Sequence, residues 1–272
     1  MRKLSAIAIA TVSLSLTTVS AFADQLADIK QRGALVCGVL GTIEPFSFTN
    51  AQTREVQGYD VDFCSAIAKS LGVKLELKLI ATAARIPELQ QGRVDILAAA
   101  LGWTPERAEQ IGYSDQYFVS LTKVAVKRSE GLKTTADLAG KRVSANKGST
   151  SEMAVKKTVP TATTVTYQDA PAAFLALQQG RVDGLALGEM MLVKLKMQAE
   201  ATTPIDILEP PVMHEYWGLG MRKGEVGFAS HVNGVLQSME KSGEATRIFD
   251  KWLGSGTQYK MRRDFKVEPI KG

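Results

Sequence analysis

Two short segments of the chain carry groups suited to holding an anion. The first is Thr104-Pro105-Glu106-Arg107. Thr104 suits a helix N-cap, Pro105 suits the first helical position, and an acid in the first turn, here Glu106, complements the helix dipole. The N–H groups of such a start can bind an anion, and Arg107 can grip a carboxylate through two hydrogen bonds. The segment therefore predicts a carboxylate site, the alternative being a surface helix with an Arg–Glu pair.

The second segment is Lys147-Gly148-Ser149-Thr150-Ser151, a glycine and hydroxyl loop that leads into a predicted helix over 152–157. It offers hydroxyl groups and free backbone N–H groups to a ligand. The alternative is an ordinary capped helix, because every helix start has such groups.

Residues able to perform catalysis or to hold a metal are sparse. The two histidines, His214 and His231, form no spaced cluster with Cys37 and Cys64. No Ser-His-Asp or Cys-His set is evident. The sequence therefore predicts a protein that binds a ligand without catalysing a reaction and that holds no metal or cofactor.

The elements that must position these segments alternate between strand and helix. Apolar runs at 34–39, 75–80 and 94–101 are typical of strands. Between the first two, apolar residues over 61–71 follow a helical spacing that ends at Gly72. This βαβ order predicts an α/β fold with a mostly parallel sheet.

One segment of seven residues occurs twice. Leu-Gln-Gln-Gly-Arg-Val-Asp stands at 89–95 and again at 177–183, and an apolar run follows each copy. The separation is too long for a solenoid period, so the repeat predicts two similar α/β lobes, each with its own sheet. The segments 122–127 and 217–221 are expected to cross between the lobes as a two-stranded hinge. The polar tail after Gly254 is expected to be loosely held.

The N-terminus predicts a secretory signal peptide over 1–23, and hence export. Arg2 and Lys3 precede an apolar stretch over 4–16, and Ala21-Phe22-Ala23 forms a small-x-small cleavage site. The stretch is shorter than the ~20 residues that span a bilayer, which disfavours a membrane anchor. Loss of 1–23 would remove only two charged residues and lower the net charge from +5 to +3. The remaining charges are interspersed, so nucleic-acid binding is not expected.

The two cysteines leave two interpretations open. Cys37 lies in a predicted strand and Cys64 in the helix expected to cover it. An oxidising compartment permits a disulfide between them, and the alternative is two buried thiols.

Further motifs stand in a fixed order along the chain. They are Gly58-Tyr59-Asp60-Val61-Asp62-Phe63 with Ile67-Ala68 and Leu71-Gly72, Leu89 to Asp95, Thr104 to Arg107, Lys147 to Thr150, and Gly218-Leu219-Gly220-Met221-Arg222-Lys223. In this combination the chain resembles the family 3 bacterial extracellular solute-binding proteins, the polar amino-acid receptors of ABC importers. The resemblance runs from about Gly33 to Leu253.

The resemblance implies a two-lobed periplasmic-binding-protein fold of type II. Lobe 1 would comprise 24–122 and 219–272, and lobe 2 would comprise 123–218. It implies a monomeric periplasmic protein that binds an amino acid or small organic acid in the cleft and passes it to an ABC permease in the inner membrane. A sensory role, with docking to a signalling protein, is also compatible. A cyclohexadienyl-dehydratase-like enzyme on the same scaffold is the alternative, with Glu189 as its nearest general acid.

The resemblance also implies which residues surround the ligand. Arg107 is expected to clamp the ligand carboxylate, and Thr150 or Ser149 to meet it from the other lobe. Tyr59 is expected to support the apolar part of the ligand, the alternative being an aromatic packed under a loop. The candidate set on the first lobe also includes Ala100, Gly102 and Trp103.

Two glycines depart from the family pattern. Gly102 stands where many members carry Ser or Thr, and Gly188 stands where the family usually presents an Asp for the ligand ammonium. Glu189 is the next residue and is expected to take that role, or else to be a surface charge.

Overall fold

The computed structural model describes residues 25–271, so the predicted signal peptide over 1–23 lies outside the described residues. Within that range the chain alternates strands and helices as expected for an α/β protein. No helix of residues 25–271 has the length and apolar character needed to cross a bilayer.

The strands are short apart from two. They are β1 (Ala34–Val39), β2 (Thr42–Ile43), β3 (Ser47–Thr49), β4 (Val56–Gln57), β5 (Lys74–Leu79), β6 (Ile96–Leu97), β7 (Gly112–Lys127), β8 (Arg142–Asn146), β9 (Thr163–Tyr167), β10 (Gly184–Gly188), β11 (Ile205–Ile207) and β12 (Met213–Met221).

The helices mostly follow a strand, apart from the first, which precedes β1, and the last, which follows another helix. They are α1 (Gln25–Arg32), α2 (Tyr59–Leu71), α3 (Arg85–Gln90), α4 (Pro105–Ala108), α5 (Thr150–Thr158), α6 (Ala170–Gln178), α7 (Glu189–Ala199), α8 (Val226–Lys241) and α9 (Glu244–Trp252).

The main sheet runs in the order β5-β1-β6-β12-β7-β10-β8-β9, with β11 paired to β7. The strands β5, β1 and β6 are parallel to each other, as are β10, β8 and β9. Two groups of parallel strands therefore stand at the two ends of the path, as the two-lobed fold class requires. The antiparallel strands β12 and β7 join the two groups into one continuous sheet.

The strand β7 belongs to both lobes. It pairs with β12 between Gly112 and Thr122, and with β10 between Thr122 and Val126. This long strand and β12 form the two-stranded connection that the sequence predicts, although β7 begins ten residues before the segment expected at 122–127.

The repeated segment builds the same turn twice. In each copy a helix, α3 or α6, ends just before a glycine with φ +68, Gly92 or Gly180. This left-handed conformation favours glycine. The leucine of each copy, Leu89 or Leu177, is fully buried.

The aspartate that ends each copy makes the same pair of backbone contacts. The N–H of Asp95 donates to the carbonyl of Val36 at 2.8 Å, and its carboxylate accepts from the N–H of Val36 at 2.8 Å. Asp183 makes both contacts with Arg142, also at 2.8 Å. Each aspartate thus ties its strand to the neighbouring parallel strand, which explains why the pattern recurs.

A disulfide joins Cys37 of β1 to Cys64 of α2, with 6.4 Å between the Cα atoms. Of the two interpretations left open by the sequence, the structure has the disulfide. It fastens the helix that begins with the Gly58-Tyr59-Asp60 motif to the central strand of the first lobe.

The expectation of a loosely held tail after Gly254 is wrong. The ring of Phe265 lies 5.3 Å from that of Phe118 and 5.8 Å from that of Phe249. Arg263 donates to Glu240 at 3.0 Å, and Val267 is buried. The apolar residues spaced among the charges of the tail anchor it to the core.

Candidate ligand-binding site

A cavity of about 30 Å³ lies at the carboxyl ends of β1, β6, β8 and β10, which is where open α/β sheets bind their ligands. Both lobes and the hinge form its wall. The lining includes Leu40, Thr82, Arg85 and Ala100 from the first lobe, Asn146, Ser149, Thr150, Ser151, Gly188 and Met191 from the second, and Glu215 and Trp217 from β12. A single water molecule needs about 10–15 Å³ by the same measure of volume, so this cavity is too small for an amino acid. An amino acid can bind there only if residues of the cavity wall move.

Local sequence sets the second-lobe side of this wall. The Ser149 hydroxyl accepts from the Glu152 N–H at 3.1 Å and caps α5, so Thr150 is the first helical residue. Both residues line the cavity, as does Ala100 from the opposite lobe. Ser149, Thr150 and Ala100, three of the predicted ligand-binding residues, therefore line the same cavity.

Arg107 stands next to the cavity and links the two lobes. The helix α4 begins as its sequence predicts, with the Thr104 hydroxyl accepting from the Arg107 N–H at 3.2 Å. The Arg107 guanidinium is buried and donates to the carbonyl of Gly102 at 2.7 Å and to that of Gly148, in the other lobe, at 2.9 Å. It lines a crevice of about 240 Å³ that shares Thr82 and Arg85 with the cavity.

Arg85 is a site residue that sequence reasoning missed. Its Nε donates to the carbonyl of Thr82 at 2.9 Å, and its Nη1 to those of Ala99 and Ala100 at 2.8 and 2.9 Å. Its Nη2 donates to the carbonyl of Gly148 at 3.2 Å. Burial, with the nearby Arg107 charge, lowers the pKa of Arg85. Its donors hold the backbone of the cavity wall.

Asp60, from the Gly58-Tyr59-Asp60 motif, holds the same wall from behind. Its Oδ2 accepts from the Ala100 N–H at 3.1 Å, and its Oδ1 from the Tyr117 hydroxyl at 2.6 Å. Ala100 has φ +47, a conformation that costs a non-glycine residue energy and persists only where surrounding contacts impose it. Burial raises the pKa of Asp60 to about 6. Asp60 is therefore a positioning residue of the cavity.

Tyr59 lies in the aromatic core and not in the cavity wall. It is fully buried, its hydroxyl donates to the carbonyl of Tyr117 at 2.7 Å, and its ring lies 4.9 Å from that of Phe63. This is the arrangement of the alternative interpretation, an aromatic packed under a loop. The sequence around Tyr59 does not indicate whether its ring faces the cleft or the core.

Trp103 and Glu189 also stand apart from the cavity. Trp103 lines a separate crevice with Tyr113. Glu189 begins α7, and its carboxylate lies 2.8 Å from the Lys123 Nζ.

Glu215, on β12, is the second residue that sequence reasoning missed. Its side chain lines the cavity and is only 3% exposed. Its Oε2 accepts from the Thr150 hydroxyl at 2.6 Å and from the Trp217 Nε1 at 3.1 Å, and its Oε1 accepts from the Thr122 hydroxyl. The strand predicted from the sequence began only at 217, whereas β12 begins at Met213 and buries Glu215.

The position of Glu215 accounts for the departure at Gly102. A Cβ at Gly102 would lie 2.6 Å from the Glu215 Oε2 and 2.9 Å from the Thr150 Cγ2. A serine or threonine therefore does not fit there. No group of three or more His, Cys, Asp or Glu side chains within 25–271 is placed to hold a metal ion.

These features define a two-lobed solute-binding protein of the type II periplasmic fold. The chain matches the bacterial extracellular solute-binding proteins, family 3, over residues 35–255, and it belongs to that family.

Several relatives of known kind resemble it along most of its length. The glutamine-binding protein of an ABC transporter from Bacillus subtilis is 30% identical over 234 residues, covering 85% of each chain. An ancestral arginine-binding protein, solved with arginine, is 33% identical with a TM-score of 0.77 over 82% of this chain and 99% of its own. An ancestral amino acid-binding protein, described as a precursor of cyclohexadienyl dehydratase, is 30% identical with a TM-score of 0.77 over 84% and 99%. All three are binding proteins.

Proposed function

We propose that the protein is the periplasmic solute-binding component of an ABC importer and binds an amino acid or related small carboxylate between its lobes. The observation that carries this proposal is the cavity itself, which both lobes and the hinge strand line at the carboxyl ends of the parallel strands. A ligand held there contacts both lobes at once, and hinge closure around a ligand is the known motion of such folds.

In this proposal Arg107 clamps the ligand carboxylate. Its two hydrogen bonds to the carbonyls of Gly102 and Gly148 leave other guanidinium donors for a ligand, since arginine has five N–H groups. Thr150 and Ser149 line the cavity from the second lobe and Ala100 from the first. Gly102 lies behind this wall, against Thr150 and Glu215.

We propose export through residues 1–23, action as a monomer, and delivery of the ligand to an inner-membrane permease. The hinge then separates lobe 1, residues 24–122 and 219–272, from lobe 2, residues 123–218. Sequencing of the mature N-terminus from a periplasmic extract is expected to begin at Asp24.

We favour binding without catalysis over a dehydratase activity. Glu189, the acid considered for such an enzyme, pairs with Lys123 and does not line the cavity. Incubation with prephenate and with arogenate is therefore expected to yield no aromatic product.

The test of binding is calorimetry and thermal unfolding across the L-amino acids and small carboxylates. A true ligand at 100 times its Kd is expected to stabilise the fold by about 2.7 kcal/mol. Arg107→Ala should weaken binding strongly, while Arg128→Ala, at an exposed arginine paired with Glu200, should not. A folded protein that none of these compounds stabilises would contradict the proposal.

A further inference from the structure

Within the part of the chain that the structure describes, the cavity contains a buried carboxylate with no cationic side chain at ion-pair distance. Glu215 is held by the hydroxyl groups of Thr122 and Thr150 and by the indole N–H of Trp217, all of them neutral donors. Among residues 25–271, no Lys, Arg or His nitrogen lies within the 4.0 Å that defines an ion pair with this carboxylate. Neutral donors solvate the charge but do not neutralise it.

The other charged side chain in the cavity wall, that of Arg85, is already hydrogen-bonded to the protein backbone. Arg85 is tied to the carbonyls of Thr82, Ala99, Ala100 and Gly148. An ionised carboxylate is costly to bury unless it is both hydrogen-bonded and paired with a charge. Glu215 has the hydrogen bonds, but the Arg85 charge acts on it only from beyond ion-pair distance. The carboxylate faces the space that a ligand would enter.

The surroundings of Gly102 show how a ligand could meet this charge. The carbonyl of Gly102 accepts from Arg107, and its side-chain face is turned to the Glu215 carboxylate. No atom fits between Gly102 and Glu215, so a ligand would lie beside Gly102 in the cavity, where it meets the Glu215 carboxylate. The Arg107 guanidinium stands on the carbonyl side of Gly102. This arrangement fits a ligand that carries both a carboxylate and a cationic nitrogen.

We propose that Glu215 binds the cationic nitrogen of the ligand and so selects amino acids over simple carboxylic acids. The hinge strand thus supplies the charge that neither Gly188 nor Glu189 brings to the cavity. This inference rests on the proposed binding function and adds the specificity-determining residue.

The same contact would couple recognition to closure. Thr150, which donates to Glu215 at 2.6 Å, begins a helix of the second lobe, whereas Glu215 lies on the hinge strand and Gly102 on the first lobe. A cation bound to Glu215 is therefore bound where all three parts of the protein meet.

The test compares each amino acid that binds with the same molecule carrying hydrogen in place of its α-amino group. By calorimetry, the wild-type protein is expected to bind the amino acid at least about thirtyfold more tightly, since leaving a buried charge unpaired is costly. Glu215→Gln is expected to lose that preference, and its affinity for the deamino compound should change less than about threefold. Glu55→Gln, at an exposed carboxylate, is the matched control and should bind as wild type does.

The outcomes separate this inference from the proposed function. Equal binding of the amino and deamino compounds by the wild-type protein, or an unchanged preference in Glu215→Gln, overturns the role of Glu215 while leaving the binding function in place. No binding of any compound refutes the binding function itself. If circular dichroism shows that Glu215→Gln is unfolded, Glu215→Asp replaces it. That variant should weaken amino-acid binding about tenfold and spare the deamino compound, and an unchanged preference would again overturn the inference.

Discussion

The substitution Arg85→Lys probes how the cavity wall is held. Arg85 is 3% exposed and donates four hydrogen bonds to backbone carbonyls, three of them within its own lobe. Lysine keeps the positive charge but gathers its three donors on one nitrogen, so it cannot span carbonyls that arginine reaches from three different atoms. We expect the wall around Ala100 to lose about half of these bonds.

The cost follows from the number of bonds. A hydrogen bond from a charged donor contributes about 1.5–3 kcal/mol, so the loss of two costs about 3–6 kcal/mol. The lower figure is the better expectation, because water can enter the adjoining crevice of about 240 Å³ and solvate the freed carbonyls. For a chain of this size 1 kcal/mol shifts Tm by about 2–4 °C, so Arg85→Lys should lower Tm by about 6–12 °C.

Thermal unfolding by circular dichroism and urea unfolding at pH 7 measure this effect. Arg128→Lys provides the control, because Arg128 lies at the surface and its replacement should stay within about 0.5 kcal/mol of wild type. Arg107→Lys should fall between the two, since Arg107 makes two such bonds and only one lies within its own lobe. A change in Tm below about 2 °C for Arg85→Lys would refute the reasoning, because the carbonyl contacts would then contribute almost nothing.

Three further experiments test other parts of the site and of the fold. Burial raises the pKa of Asp60 from 3.8 to about 6, so the folded state takes up this proton at a higher pH than the unfolded state does. Wild type should therefore gain about 2.4 kcal/mol over Asp60→Asn as pH falls from 7 to 4. A difference between the two unfolding free energies that stays flat with pH would contradict this. Gly102→Ala should cost about 1–3 kcal/mol in urea unfolding because its Cβ meets Glu215 and Thr150, whereas Gly234→Ala, in open space on α8, should gain about 0.5–1 kcal/mol. Equal effects would argue against crowding at Gly102. Asp95→Ala should cost about 2 kcal/mol and Asp183→Ala about 1 kcal/mol, because the Asp95 side chain is 5% exposed and that of Asp183 is 25% exposed. The reverse order in urea unfolding would count against the burial argument.

Features that depend on neighbouring residues were predictable from the sequence. Helical spacing over 61–71 and the glycine stop at Gly72 identified α2 to within two residues. The cap at Thr104 and the two copies of the 89–95 turn were also correct, because caps and glycine turns are decided by a few adjacent residues.

Features that depend on strand register were not predictable. Glu215 reaches the cavity because β12 pairs with β7 so that Glu215 lies opposite Ser120 and faces inward with Trp217. Arg85 acquires its role because the loop after β6 returns over the start of α3. The strand predicted over 94–101 shrinks to 96–97 for the same reason, since its second half forms this loop. No local pattern reports such contacts, because each partner is distant in sequence.

The anchored tail has a practical consequence for protein production. The match to the family ends at residue 255. A truncation designed from that limit would delete Phe265, which packs in the aromatic core, and Arg263, which is hydrogen-bonded to Glu240. The rings of Phe118 and Phe249 and the half-buried Glu240 would then be exposed to water, which favours aggregation into inclusion bodies. Lys271, by contrast, has a side chain that is 82% exposed, so an affinity tag appended after the last residue leaves the packing untouched.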